Sequence, residues 1–153
     1  NALEFYWECT GTDKNRSQAL VVGCGTSALS SSLADFGFST VVSIDNDIDC
    51  IEYMKSKHHA DHRLKWLVCD VLDNSSIHQS STVDDIFSAP NAGTHVVPCS
   101  IQNLGSESFD LVVDKATLDA LLTQGTVSRM LCQIHRLLKP SGLYVVCSAH
   151  RED

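Results

Sequence analysis

Short apolar runs alternate with amphipathic stretches along this chain. The runs Ala19–Val22, Thr40–Ile44, Leu64–Cys69, Phe109–Val113 and Leu143–Ser148 are rich in Val, Leu, Ile and Phe and are too short for helices, so they read as strands. Between them, the pattern predicts helices over Leu29–Phe36, ended by Gly37, and over Ile48–Lys57. A third helical region runs from Thr117 to Leu138 with a break at Gly125. Its second half sets Val127, Met130, Leu131, Ile134, Leu137 and Leu138 on one stripe of helical period, and Pro140-Ser-Gly142 then stops it and turns into the last strand. Strands alternating with helices in this way predict an α/β fold, a doubly wound and mostly parallel sheet with helices on both faces.

The stretch from Asn74 to Gly105 breaks this rhythm. It is rich in Ser, Asn and Thr and holds Pro90 and Pro98, so we expect a flexible insertion, with a short helix at Val83–Phe87 capped by Ser81 or Thr82. The whole 153-residue chain, with that insertion at about 74–105, is expected to form a single domain.

Composition narrows the classes without choosing one. Apolar residues make up 43% and charged residues 20%, ordinary values for a soluble globular protein, and no apolar stretch is long enough to span a bilayer. A formal net charge of −8 argues against a nucleic-acid partner and suits a protein partner with a basic surface. The local basic group of Lys55, Lys57, Arg63 and Lys65 reads as a solvated helix end. Among His58, His59 and His62 only the outer two share helical spacing, and no acidic residue completes a metalloprotease pattern, so no metal site is expected there. The 7 cysteines are scattered with no C-x-x-C pair, which fits reduced thiols and a cytoplasmic location.

The candidate chemistry lies at strand ends. The first strand runs directly into Gly23-Cys24-Gly25-Thr26-Ser27 and then a helix, where missing side chains let a ligand approach the backbone and a helix N-terminus offers N–H groups. Asp45 closes the second strand about twenty residues beyond Gly25, where a carboxylate meets a ribose diol in nucleotide-binding sheets. Asp70 follows the third strand and Asp114 the fourth, so all four features fall on the carboxyl edge of the sheet. For any single Asp the plain alternative is a helix N-cap.

These positions together resemble the class I S-adenosylmethionine-dependent methyltransferases. More narrowly, the chain resembles the branch with the endothelin-converting-enzyme-2-associated methyltransferase domain and the elongation factor 1-alpha lysine methyltransferases. The likeness rests on Gly23 to Ser27, on Val41–Asp45 and on Asp114-Lys-Ala-Thr-Leu-Asp-Ala120, with Ala116 where the family has Gly. It covers residues 19–73 and 105–149. The resemblance implies S-adenosyl-L-methionine as cofactor. It would place the methionine part against Gly23, Cys24, Gly25, Thr26 and Ser27, the ribose on Asp45 beside Asn46, and the adenine against Asp70 and Val71. Asp114 and Lys115 would lie beside the sulfonium and the incoming nucleophile as catalytic residues, and Tyr6 and Trp7 would help cover the substrate end.

The implied activity is methyl transfer to a lysine of a protein substrate, since a lysine amine is cheaper to deprotonate than an arginine. Nucleobase methylation is disfavoured because Asp114-Lys-Ala-Thr lacks the Asn/Asp-Pro-Pro-aromatic segment. The family's fold adds a further helix and an antiparallel pair of strands, six and seven, beyond the point where this sequence stops, so an uncovered sheet edge and a homodimer through it are expected. Two alternatives stay open: a catalytically silent cofactor-binding or interaction module, and an NAD-binding dehydrogenase, since Gly23-x-Gly25-x-x-Ala28 followed by Asp45 also fits that fingerprint.

Overall fold

The computed structural model describes residues 4, 7–8, 11–73 and 98–148. Its strands are β1 (Gln18–Val22), β2 (Thr40–Asp45), β3 (Leu64–Val68), β4 (Phe109–Lys115) and β5 (Leu138–Cys147). They form one five-stranded sheet in the order β3-β2-β1-β4-β5, and every pairing is parallel. The helices are α1 (Leu29–Phe36), α2 (Ile48–Lys57), α3 (Thr117–Leu122) and α4 (Val127–Leu137). The doubly wound parallel sheet read from the alternation is therefore the observed fold. The short helix expected at 83–87 lies outside the described residues.

Strand alternation divides the core between the two faces. On β1, Ala19 and Val21 point to the side covered by α1 and α2, where Leu33, Ala34, Ile51 and Met54 are buried with them. Leu20 and Val22 point to the other side, against Leu121 of α3 and Met130, Ile134 and Leu137 of α4. These last three residues carry the buried stripe of α4, while Leu131, placed on the same stripe from sequence, is 40% exposed. The stripe is thus narrower than expected. One polar contact crosses the first face: Ser30 of α1 and Ser43 of β2, both buried, share a hydrogen bond of 2.7 Å.

Each helix end has a local cause. Gly37 ends α1 at φ 125°, and its N–H donates to the carbonyls of Leu33 and Ala34. Asp47 starts α2, its carboxylate accepting the N–H groups of Asp49 and Cys50 at 3.0 and 3.2 Å. The expected break near Gly125 separates α3 from α4.

The last strand starts earlier than expected, at Leu138 rather than Leu143. Leu138 pairs with Phe109, and the register then jumps so that Leu143 pairs with Leu111. The turn residues Pro140 to Gly142 fit inside the strand because they occupy that irregularity. A Cβ on Gly142 would lie 2.9 Å from the Lys139 carbonyl, so the chain is too tight there for a side chain. No helix among the described residues is long and apolar enough to cross a membrane.

The amino ends of three strands meet at Asp110. This buried carboxylate accepts the Gln18 N–H and the Lys139 ammonium through the same oxygen, each at 2.8 Å. Asp110→Ala leaves a half-buried amide and an ammonium without that oxygen, so it is expected to cost about 2–3 kcal/mol. The melting temperature should fall by roughly 5–10 °C, which thermal unfolding followed by circular dichroism would check.

Candidate active site

The carboxyl ends of β1, β2, β3 and β4 border one cleft of ≈ 350 Å³. That volume lies in the range of small-molecule sites. Gly23, Asp45, Asn46, Asp70, Val71 and Lys115 all line it, so six of the residues singled out from sequence are brought together. α3 adds Thr117, Ala120 and Leu121 to the wall, and Gln124 joins it just beyond that helix. Sequence reading missed these four as site residues; the signal for them was the Asp114–Ala120 segment, which aims the start of α3 across the cleft.

Gly23 explains how α3 comes so close. Its φ is +63°, and a Cβ there would stand 1.9 Å from the Thr117 hydroxyl oxygen. The missing side chain therefore makes room for Thr117. Gly25 has φ +50° and nothing within 4 Å of where a Cβ would be, but it does not border the cleft.

The turn's amides are already engaged with β2. Cys24 N–H donates to the Ile44 carbonyl at 3.1 Å, and Gly25 N–H donates to Asp45 Oδ2 at 2.9 Å. The turn is therefore not the open N–H cradle expected from the sequence at these two residues. The Cys24 side chain is buried in the core beneath α1, and burial, followed by the charge of Asp45, pushes its thiol pKa up. Ser27 Oγ–H donates to the Cys24 carbonyl, Thr26 is exposed on the turn, and neither borders the cleft.

The three strand-end carboxylates have different surroundings. Asp45 is half-buried; Oδ2 accepts from Gly25 and Oδ1 accepts the Asp47 N–H at 3.1 Å, which leaves a lone pair on each oxygen for a diol. Asp70 is exposed and uses Oδ1 to accept the Leu72 N–H at 2.8 Å. Asp114 is fully buried and does not line the cleft. Its carboxylate accepts the N–H groups of Thr117 and Leu118 at 2.8 and 2.9 Å and the Tyr144 hydroxyl at 3.1 Å. The expected catalytic role of Asp114 is corrected accordingly: it caps and positions α3. Tyr144 is pushed up in pKa by burial and then by the Asp114 charge, so it stays a hydrogen-bond donor.

Trp7 also departs from expectation. It stacks on Phe36, with centroids 4.9 Å apart, and lies 5.1 Å from Phe38. Phe36 ends α1 and Phe38 leads into β2, so Trp7, itself buried, packs on a half-buried and a buried ring at the amino edge of the sheet, away from the cleft. Tyr6 lies outside the described residues.

A glycine turn packed against α3, a carboxylate tying that turn to β2 and a cleft over the carboxyl edge of a parallel sheet define a Rossmann-like domain. The chain belongs to the methyltransferase domain family, whose model matches residues 13–153. It is 32% identical over 142 residues to a bovine protein named eEF1A lysine and N-terminal methyltransferase, a match covering 88% of this chain and 16% of that protein. It is 30% identical to bovine EEF1A lysine methyltransferase 4, covering 82% of this chain and 43% of that one. The chain thus spans less than half the length of both relatives. Among solved structures, an S-adenosylmethionine-dependent methyltransferase from Mesorhizobium loti superposes with a TM-score of 0.62 at 17% identity, over 98% of this chain and 54% of that one.

The residues fit the family's cofactor: Asp45 has accepting capacity left, and Val71 gives the cleft a buried apolar wall. Two substitutions test the geometry. Ala116 is left-handed at φ 65°, where an L side chain is strained by about 1–2 kcal/mol. Ala116→Gly should therefore stabilise the chain by about 0.5–1 kcal/mol after allowing for glycine's greater unfolded-state freedom. Gly23→Ala should do the reverse by more than about 2 kcal/mol, because Thr117 must move. Paired denaturant titrations would measure both.

Proposed function

We propose that this chain is the cofactor-binding and catalytic unit of a protein-lysine methyltransferase, acting on a basic protein partner of the elongation factor 1A kind. The observation that carries the reading is the convergence of Gly23, Asp45, Asp70 and Lys115 on one cleft, in a chain whose relatives bear eEF1A lysine methyltransferase names.

S-adenosylmethionine, when bound, supplies a methyl group activated by a positively charged sulfonium. Asp45 would accept the ribose hydroxyls, and Asp70 and Val71 would border the adenine. The chain's main contributions are then alignment and exclusion of water, with proximity worth up to about 7–11 kcal/mol. An acceptor lysine must arrive neutral, which costs about 4.6 kcal/mol at pH 7 for an unperturbed amine. Lys115 is exposed at the cleft wall, and its like charge disfavours the protonated form of that amine. Asp114 acts through its hold on Thr117 and Leu118, which fixes α3 as the facing wall. The net charge of −8 favours encounter with a positively charged protein, and a cytoplasmic site of action accords with such a partner.

Calorimetric titration with S-adenosylmethionine, S-adenosylhomocysteine and NAD in parallel tests the cofactor part. Micromolar binding of the first two without NAD is expected, and Asp45→Ala should weaken it at least about tenfold, or 1.4 kcal/mol. Unchanged affinity in that variant would sink the site assignment. Transfer of a labelled methyl group to purified elongation factor 1A, abolished when the acceptor lysine becomes arginine, tests the substrate; labelling that persists in every lysine variant would overturn it.

A further inference from the structure

Beside the cofactor cleft, the fold assembles a set of side chains of which the methyl-transfer mechanism above uses only the Asp45 carboxylate. Cys24 lies in the glycine turn after β1, Cys50 in the first turn of α2 and Asp45 at the end of β2. One ligand atom from each, the two sulfurs and a carboxylate oxygen, lies within 4.8 Å of the others. Cys24 is buried, while Cys50 and Asp45 are partly open to solvent, which gives the group a buried base and an accessible side.

We propose that Cys24, Cys50 and Asp45 form a binding site for a thiophilic divalent cation, Zn²⁺ or its surrogate Cd²⁺, and that its occupation is mutually exclusive with the ribose of the cofactor. Two thiolates and a carboxylate are a donor set of the kind that borderline-soft, d¹⁰ cations take in tetrahedral sites, with water in the fourth position. Tetrahedral bonds of about 2.3 Å hold two sulfurs about 3.8 Å apart, so ligand atoms within 4.8 Å need to close by at most about 1 Å.

The surrounding charge also suits a cation. Burial raises both thiol pKa values and the Asp45 carboxylate raises them further, with Asp47 adding to the effect on Cys50. In the free protein both thiols are neutral; a divalent cation reverses that balance, and its binding releases the two thiol protons to solvent. Asp47 supports the arrangement from behind, since its N–H holds Asp45 Oδ1 while its carboxylate accepts the Cys50 N–H. Because Asp45 serves both ligands, metal and cofactor compete. That competition rests on the methyltransferase reading; the metal site itself does not.

The test starts from the reduced, metal-free chain. Titration with Cd²⁺, followed by the ultraviolet charge-transfer absorption of cadmium thiolates, should give one tight site in the unaltered chain and in Cys132→Ala, which removes an exposed cysteine elsewhere. In Cys50→Ala the affinity should drop at least about tenfold, as it does even when an outer partner of a metal ligand is lost. Equal affinity in Cys50→Ala would overturn the site. X-ray absorption of the Zn²⁺-loaded, unaltered chain provides a readout that needs no variant: two sulfur ligands support the assignment, and a sulfur-free shell overturns it. S-adenosylhomocysteine should bind at least about tenfold more weakly to the Cd²⁺-loaded chain than to the metal-free one. Equal binding would overturn the competition, whereas no binding even to the metal-free chain would refute the cofactor reading and leave the metal site standing.

Discussion

The approach of Thr117 to the α-carbon of Gly23 sets the geometry of the whole carboxyl edge. No side chain fits at Gly23, so the turn after β1 and the start of α3 lie in contact. Everything that lines the cleft is placed relative to that contact. The turn is fastened to β2 through Cys24 and Gly25, and α3 is fastened to β4 through the Asp114 carboxylate. Three strands and a helix are thereby tied together by backbone amides and two carboxylates. None of these bonds depends on an exposed side chain, so the cleft is formed by the chain's own hydrogen bonding before any ligand enters.

The three strand-end aspartates illustrate how neighbours decide function. In sequence they are equivalent, each closing an apolar run. In the sheet, β3 is an edge strand, so Asp70 just beyond it is exposed; β4 lies between β1 and β5, so Asp114 is sealed from solvent on both sides. Asp45 is intermediate, half-buried at the end of a strand paired on both sides. The exposed carboxylate accepts only a local amide, the shared one anchors a turn and the sealed one caps a helix.

Much of this was legible in the sequence. Both α1 and α2 occur over the residues expected, because their apolar spacing and their stops, Gly37 and the basic end of α2, are local signals. The strands were placed to within a residue or two for the same reason, apart from β5, whose start is hidden by Pro140 and Gly142. Those residues read as a turn, and only pairing with Phe109 draws the preceding Leu138 into the sheet. The glycine turn and Asp45 were found through their spacing. Trp7 and Asp114 were misassigned because orientation is not encoded locally: Trp7 follows two phenylalanines at the other edge, and Asp114 turns toward amides three and four residues ahead. Likewise, nothing in the separation of Cys24 from Cys50 announces that their sulfurs meet.

Two arginines on α4 bear on the chain between β3 and β4. Arg129 donates to the Leu72 carbonyl at 2.8 Å, just before residues 74–97, and Arg136 donates to the carbonyls of Ile101 and Leu104, both at 2.8 Å, just after them. The Cys99 N–H returns to the Val68 carbonyl at 2.8 Å. Departure and return are thus moored to one helix and one strand end, independently of what joins them. The mooring makes this the natural port of the fold, where a foreign peptide, a fluorescent reporter or a substrate-recruiting segment can be grafted while the cleft a few residues away keeps its shape.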